Sequence, residues 1–253
     1  MRRASSSRKI KVHSSHGLVS CIMATGNRKQ FLGRALHCFL QQTYADSELI
    51  VVDDGRGSAG DLCGGMPRIR YIHLARPASL GAKLNIGIRV AWGNTLQVLD
   101  DDDLYHPDFL KIAVNALAQG EPGRSLVGWD CFIVLLADEN KPRFSGHGWV
   151  AGGTLCFSRS LWQREPFRDI TCGVDQWFLR DQDVHVIRVC APEYYLYLRH
   201  GANTWAKTGN GESVDAGFRR LPEYHLALPE LLRPLGLEER SVLQSLGEVR
   251  DFA

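Results

Sequence analysis

Residues 17–118 alternate between short apolar runs and amphipathic stretches, which leaves few architectures open. Gly17–Ala24, Glu48–Val52, Ile69–Leu74 and Asn94–Leu99 read as buried strands. Between them, Arg28–Gln41 carries Phe31, Leu32, Ala35, Leu36, Phe39 and Leu40 at helical spacing. Ser79–Trp92 does the same with Leu80, Leu84, Ile88 and Ala91. Pro107 is suited to start a further helix, because its missing N–H costs nothing in a first turn, and Phe109, Leu110, Ala113, Val114 and Leu117 form that helix's apolar face. Strands that alternate with helices predict an α/β fold with a mostly parallel, Rossmann-like sheet flanked by helices. In such sheets ligands bind beyond the carboxyl ends of the strands. Three of the predicted strands end there in polar groups: Thr25, Asp53-Asp54 and the run Asp100–Asp103.

After about residue 120 the alternation weakens. Gly128–Leu136 reads as a strand, and Lys141–Ser158 as short antiparallel strands. Asp175–Arg180 reads as a helix, Val184–Cys190 and Tyr194–Arg199 as strands, and Leu221–Leu232 and Leu237–Leu246 as terminal helices. The chain of 253 residues suits one large domain. A net charge of +2 without a basic stripe speaks against a nucleic-acid partner. Seven cysteines without a Cys-x-x-Cys pair argue against a zinc ribbon or a disulfide scaffold, and favour a reducing cytoplasm. No apolar stretch approaches the roughly 18 residues of a membrane span. Residues 1–16 carry five basic side chains and no apolar core, which predicts a mobile tail; weak peripheral contact with an anionic membrane surface is the alternative.

A Gly-x-Gly-x-x-Gly stretch occurs at residues 55–60, but the dinucleotide fingerprint requires those glycines to open a helix. The following Asp-Leu-Cys-Gly-Gly-Met-Pro is not expected to sustain one, so a loop is predicted. The run Asp100–Asp103 offers several oxygen ligands within one turn. Hard divalent cations take such ligands, often one or two carboxylates together with substrate phosphates. A solvated turn ahead of the Pro107 helix is the alternative. A calcium loop is excluded, since its glycine and glutamate positions hold Tyr105 and Lys111.

Four segments stand in order: Cys-Ile-Met-Ala-Thr-Gly-Asn-Arg (21–28), Leu-Gln-Gln-Thr-Tyr through Val-Val-Asp-Asp-Gly (40–55), Leu-Gly-Ala-Lys-Leu-Asn-Ile-Gly-Ile (80–88) and Trp-Gly-Asn through Asp-Asp-Asp-Asp-Leu-Tyr-His-Pro (92–107). This set resembles the inverting family 2 glycosyltransferases of the GT-A fold. The resemblance implies a nucleotide-sugar-binding half over 17–118, a smaller mixed acceptor half over 119–220 and C-terminal helices over 221–253. It implies a nucleoside-diphosphate sugar donor, a UDP-sugar foremost, and a divalent metal, Mn²⁺ or Mg²⁺. Ala24, Thr25 and Arg28 would face the nucleotide, Asp53 the base, and Lys83 the nucleotide from its helix. Asp100 and Asp102 match the Asp-x-Asp motif, with Asp102 on the metal, Asp100 on the ribose or a metal-bound water, and Asp101 beside the substrate. Asp175 stands where the family carries its general base, although Val174 occupies a place where an acid is common. His200, in His-Gly-Ala-Asn, would complete the metal site, and Trp177 would stack on a sugar. The acceptor class stays open among glycan, lipid-linked, peptide and small-molecule hydroxyls, and the location between the cytoplasm and the inner membrane face. Two rival readings are a catalytically degenerate binding module, motivated by Val174, and a sugar-nucleotide pyrophosphorylase, which should begin with a richer glycine loop.

Overall fold

The computed structural model describes residues 17–139, 141–201, 203, 214–225, 228–238 and 242. The expected tail and most of the second terminal helix lie outside them. Strand β1 (Val19–Thr25) leads into helix α1 (Lys29–Leu40), followed by β2 (Ser47–Asp53), α2 (Gly60–Cys63), β3 (Ile69–His73), α3 (Leu80–Val90) and β4 (Thr95–Val98). Then come β5 (Leu104–Tyr105), α4 (Phe109–Leu117), β6 (Ser125–Cys131), β7 (Ile133–Leu136), β8 (Pro142–Phe144), β9 (Cys156–Ser158), α5 (Arg159–Arg164) and α6 (Val174–Asp181). Strands β10 (His185–Cys190) and β11 (Tyr195–Arg199) and helices α7 (Val214–Phe218) and α8 (Leu228–Leu232) complete the order.

The main sheet runs β10-β6-β9-β4-β1-β2-β3. Its half β4-β1-β2-β3 is parallel throughout, and only β9 runs against its neighbours β4 and β6. A second sheet, β5-β11-β7-β8, stands beside it. Both faces of the main sheet are covered, so β1 and β2 bury residues on each side and read as unbroken apolar runs. Cys21, Met23, Leu49 and Val51 pack on the side of α1 and α4, whereas Ile22, Ile50 and Val52 pack with Leu84 and Ile88 of α3.

Four local expectations are corrected. Gly128–Leu136 is two strands in different sheets, because Phe132 turns its backbone N–H and C=O onto Ser145 between them. Every residue of both strands is buried, so no change of hydrophobic period marks the break. Residues 60–63 form one helical turn, which ends at Gly64. Residues 221–225 are not helical: Pro222 accepts from Phe144 and Tyr224 donates to Pro142, so the chain pairs along β8. Cys131 and Cys190 form a disulfide, since the parallel register of β6 and β10 sets them side by side across 59 residues of sequence.

Helix α3 matters most for the site, and its two ends are held by side chains. Ser79 accepts from the Ala82 amide at the start. At the other end Arg159 donates to the carbonyls of Ile88, Ala91 and Gly93 at 2.7–3.1 Å. The Ile88 carbonyl also accepts from the Ala91 amide at 3.3 Å, whereas the Ala91 and Gly93 carbonyls lie past the last turn, beyond the helix's own donors. Arg159→Ala is expected to cost about 1–3 kcal/mol, as hydrogen bonds to a charged donor do. Chemical denaturation should register this loss with the far-UV spectrum unchanged.

Candidate functional site

The site starts from the parallel pairing of β1 with β4, which sets Ile22 beside Val98 and brings the two strand ends together. Beyond β1 the chain turns through Gly26 and Asn27, the latter at φ 56°. A Cβ on residue 26 would lie 2.2 Å from Asp54 Oδ1, so any side chain there would displace that carboxylate. Lys83 of α3 fixes the turn, its ammonium donating to the Thr25 carbonyl and to Asp54 Oδ1, each at 2.9 Å. Asp53 faces its own turn. Its carboxylate accepts from the amides of Gly55 and Ala59 and from the Tyr71 hydroxyl, at 2.8, 3.1 and 2.6 Å. Burial opposes its ionisation, but these three donors hold it below the ordinary carboxylate range.

The aspartate run beyond β4 is not a solvated turn. Asp101, Asp102 and Asp103 are 2%, 6% and 1% exposed. Each finds different partners. Asp101 accepts from Thr25 Oγ1 at 2.6 Å and pairs with Arg28 Nη1 at 3.2 Å. Asp102 Oδ2 pairs with Arg28 Nη2, His200 Nε2 at 3.1 Å and Asn203 Nδ2 at 3.1 Å. Asp103 accepts from the Tyr195 hydroxyl and the Leu198 amide of β11, and so ties the acidic run to the second sheet. Asp100 donates its backbone N–H to the Tyr105 hydroxyl, which in turn donates to the Gly153 carbonyl.

The ionisation of the run divides accordingly. Burial, with the charges of Asp102 and Asp101, pushes Asp100 up to about 8. Burial pushes Asp101 up to about 6, with Arg28 pulling the other way. Burial also works against Asp102, yet Arg28 and His200 hold it below its ordinary value. The cluster thus carries more negative charge than one guanidinium neutralises. The donor set of carboxylate oxygens with one imidazole suits a hard divalent cation, and the Arg28 guanidinium between Asp101 and Asp102 is a cation already standing there.

A cavity of about 870 Å³ opens over these groups. Ala24, Arg28, Asp100, Asp101, Asp102, Asp175 and Trp177 all line it. Thr25 and His200 join through hydrogen bonds to Asp101 and Asp102, and Lys83 through the Thr25 carbonyl. Asp53 stands apart, one strand over at the end of β2. Asp175, in the first turn of α6, is half-buried against Gly152, and burial raises its pKa. Trp177 lies one turn below the start of the helix, with the guanidinium carbons of Arg168 and Arg180 at 3.9 and 4.6 Å from its ring centre. Asn203 is a site residue that the sequence reading did not single out. Its signal was present as the last position of the His-x-x-Asn segment, three residues from His200. Gly152 and Gly153 were also missed as contacts of Asp175 and Asp100, because nothing in the order of residues announces which carboxylate will lie on which glycine.

Comparison with known proteins bears on this geometry. Residues 20–170 match the sequence profile of "Glycosyl transferase family 2". An uncharacterized glycosyltransferase of Rickettsia typhi is 31% identical over 266 aligned positions, which cover 93% of this chain and 78% of that protein. An uncharacterized glycosyltransferase of Rickettsia bellii is 34% identical over 112 residues, and there the match spans 42% of this chain but only 16% of the relative's length. Among solved structures, Staphylococcus aureus TarS 1–349 in complex with UDP-GlcNAc superposes with a TM-score of 0.57 at 16% identity, over 91% of this chain and 71% of that one. That likeness extends the GT-A fold across the irregular second half, where the sequence pattern is weakest. Among the described residues no helix is long and apolar enough to cross a membrane. By its profile match and by its near full-length relative, the chain belongs to glycosyltransferase family 2.

Proposed function

We propose that the chain transfers a sugar, with inversion, from a nucleoside-diphosphate donor to an acceptor hydroxyl, and that the donor is a UDP-sugar. The observation that carries this reading is the convergence of Asp100, Asp101 and Asp102 with Asp175 around one cavity at the carboxyl edge of a family 2 sheet. The TarS structure of similar fold is a complex with UDP-GlcNAc, which supports uridine as the base. In this reading residues 17–118 form the donor half, residues 119–220 the acceptor half and residues 221–253 a C-terminal segment that carries α8.

The roles follow from the chemistry of each group. Ala24 and Thr25 lie along the nucleoside, and Lys83 keeps their turn in place through the Thr25 carbonyl and Asp54. Asp53 sits at the base end, rigid because its turn already satisfies its oxygens. Arg28 reaches the cavity beside Asp101 and Asp102, where its charge can meet the diphosphate. Asp102, with His200 against its Oδ2, would hold a divalent cation, Mn²⁺ or Mg²⁺, which when bound offsets charge developing on the leaving diphosphate. Asp100 serves the ribose side. Asp175 takes the proton of the attacking hydroxyl; burial has moved its carboxyl toward the range in which a base works well near neutral pH. Trp177 lines the cavity and would stack on a sugar ring that displaces the Arg168 or Arg180 guanidinium from its face. Val174, where relatives often have an acid, is 3% exposed and part of the apolar core, so Asp175 works without a carboxylate partner in that position.

Two outcomes test the reading. Calorimetry should find UDP binding in Mn²⁺ that disappears in EDTA and in Asp102→Ala; binding that ignores the metal would remove the cation from the account, and no binding of any nucleoside diphosphate would sink the donor assignment. Asp175→Asn should keep its UDP affinity while UDP release from UDP-GlcNAc falls by about 10²–10⁴, the usual contribution of a general base. A variant with undiminished release would point to another base; a wild-type protein that binds UDP-GlcNAc without turnover across acceptors would favour the binding module.

A further inference from the structure

Gly152 and Gly153 are adjacent in the sequence, yet each meets a different carboxylate. A Cβ on residue 153 would lie 2.5 Å from Asp100 Oδ2 and 2.8 Å from both its Cγ and the Tyr105 hydroxyl oxygen. A Cβ on residue 152 would lie 3.0 Å from the Cβ of Asp175 and 3.1 Å from its Cγ and Oδ2. Neither glycine has a positive φ, so it is the space above them, and not their backbone conformation, that calls for glycine.

The backbone beneath them has little room to retreat. Ala151 donates to the Trp129 carbonyl at 3.1 Å, and Trp129 donates to Thr154 Oγ1 at 3.0 Å. Thr154 Oγ1 in turn donates to the Ala151 carbonyl at 2.6 Å. The Gly153 carbonyl accepts from the Tyr105 hydroxyl at 3.1 Å, and Tyr105 is itself buried. Ala151, Thr154 and Leu155 are likewise buried at 1%, 0% and 1% exposure. An added methyl at residue 153 therefore displaces the Asp100 carboxylate above it before the chain below, and one at residue 152 presses the Asp175 side chain away by a few tenths of an ångström.

We propose that Gly152 and Gly153 are positioning residues of the transfer site: Gly153 seats the donor-side carboxylate Asp100, Gly152 seats the acceptor-side carboxylate Asp175, and the peptide between them sets the distance from donor to base. The assignment of sides rests on the transferase reading above; the seating itself does not. A shift of the reacting groups of about 1 Å is enough to cost roughly 10²-fold in rate. The two glycines consequently differ in what they control. Gly153→Ala displaces a group that helps hold the nucleotide, whereas Gly152→Ala displaces only the base.

Two measurements on the full chain test this. The first is a stability cycle by chemical denaturation, which needs neither ligand nor turnover. Gly153→Ala should lower the denaturation midpoint and recover part of that loss when combined with Asp100→Ala, because the carboxylate is the nearer of the two groups crowded, the Tyr105 hydroxyl being the other. Losses that simply add would overturn the seating, whatever the protein binds. The second compares UDP affinity in Mn²⁺ with UDP release from UDP-GlcNAc. Gly153→Ala should weaken UDP at least tenfold. Gly152→Ala should hold UDP within threefold of the wild type while release falls severalfold, short of the roughly 10²-fold that a 1 Å shift costs. Equal loss of UDP affinity in both variants, or wild-type release from Gly152→Ala, would overturn the division of roles. Failure of the wild type itself to bind UDP would count against the donor reading and leave the stability cycle to decide the seating.

Discussion

Four consecutive carboxylates end the central strand β4, and three of them are buried. Buried charge is tolerated only when it is paired and hydrogen-bonded. Here the partners come from almost every element around the strand end: Thr25 and Arg28 after β1, Tyr195 and Leu198 in β11, His200 and Asn203 beyond it, and Tyr105 in β5. The acidic run thus joins the two sheets, since Asp101 is tied to the first and Asp103 to the second. Asp103 faces inward onto Tyr195 and Leu198 with its pKa raised well above normal by burial, which separates it from the three aspartates that line the cavity. One stretch of sequence therefore serves both as structural joint and as chemical centre.

The same division explains what could be read from residue order. The parallel half was legible because β1 and β2 are buried on both faces and its helices carry clear 3.6-residue periodicity; β3, β4, α1, α3 and α4 fall within the stretches that predict them, while β1 runs one residue past its stretch, to Thr25, and β2 one residue past at each end, to Ser47 and Asp53. Their order with the acidic run also pointed to the family, and seven of the eleven residues named as site candidates line one cavity. The second half resisted for physical reasons. Strands β6 and β7 are uniformly apolar, so the turn at Phe132 leaves no mark in the pattern. Residues 221–225 have helical-looking apolar spacing, but their pairing with β8 is a long-range contact that no local window contains. The pairing of Cys131 with Cys190 depends on the register of two strands 59 residues apart, and cysteine spacing is silent about it. Asp53 shows the complementary limit: its place at a strand end was clear, but its three intramolecular donors, two of them backbone amides, were not.

Two halves of unlike regularity meet at the cavity. One side is built on a parallel sheet whose strand ends are fixed by Lys83, Gly26 and the β1–β4 register. The other side is built from short elements, the turn at Gly152–Thr154 and the start of α6. On the proposed reading, this arrangement keeps the nucleotide end rigid and leaves the second half, with Trp149, Trp177 and Tyr197 on the cavity wall, to vary with the acceptor.

The measurement that bears most directly on this account is a crystal structure grown with UDP and Mn²⁺, with diffraction collected at the manganese absorption edge. The account predicts an anomalous peak bonded to the Asp102 carboxylate, the UDP diphosphate beside it and Arg28 drawn toward phosphate. UDP lodged away from the β4 carboxylates, or diphosphate held there by Arg28 with no metal on Asp102, would contradict it.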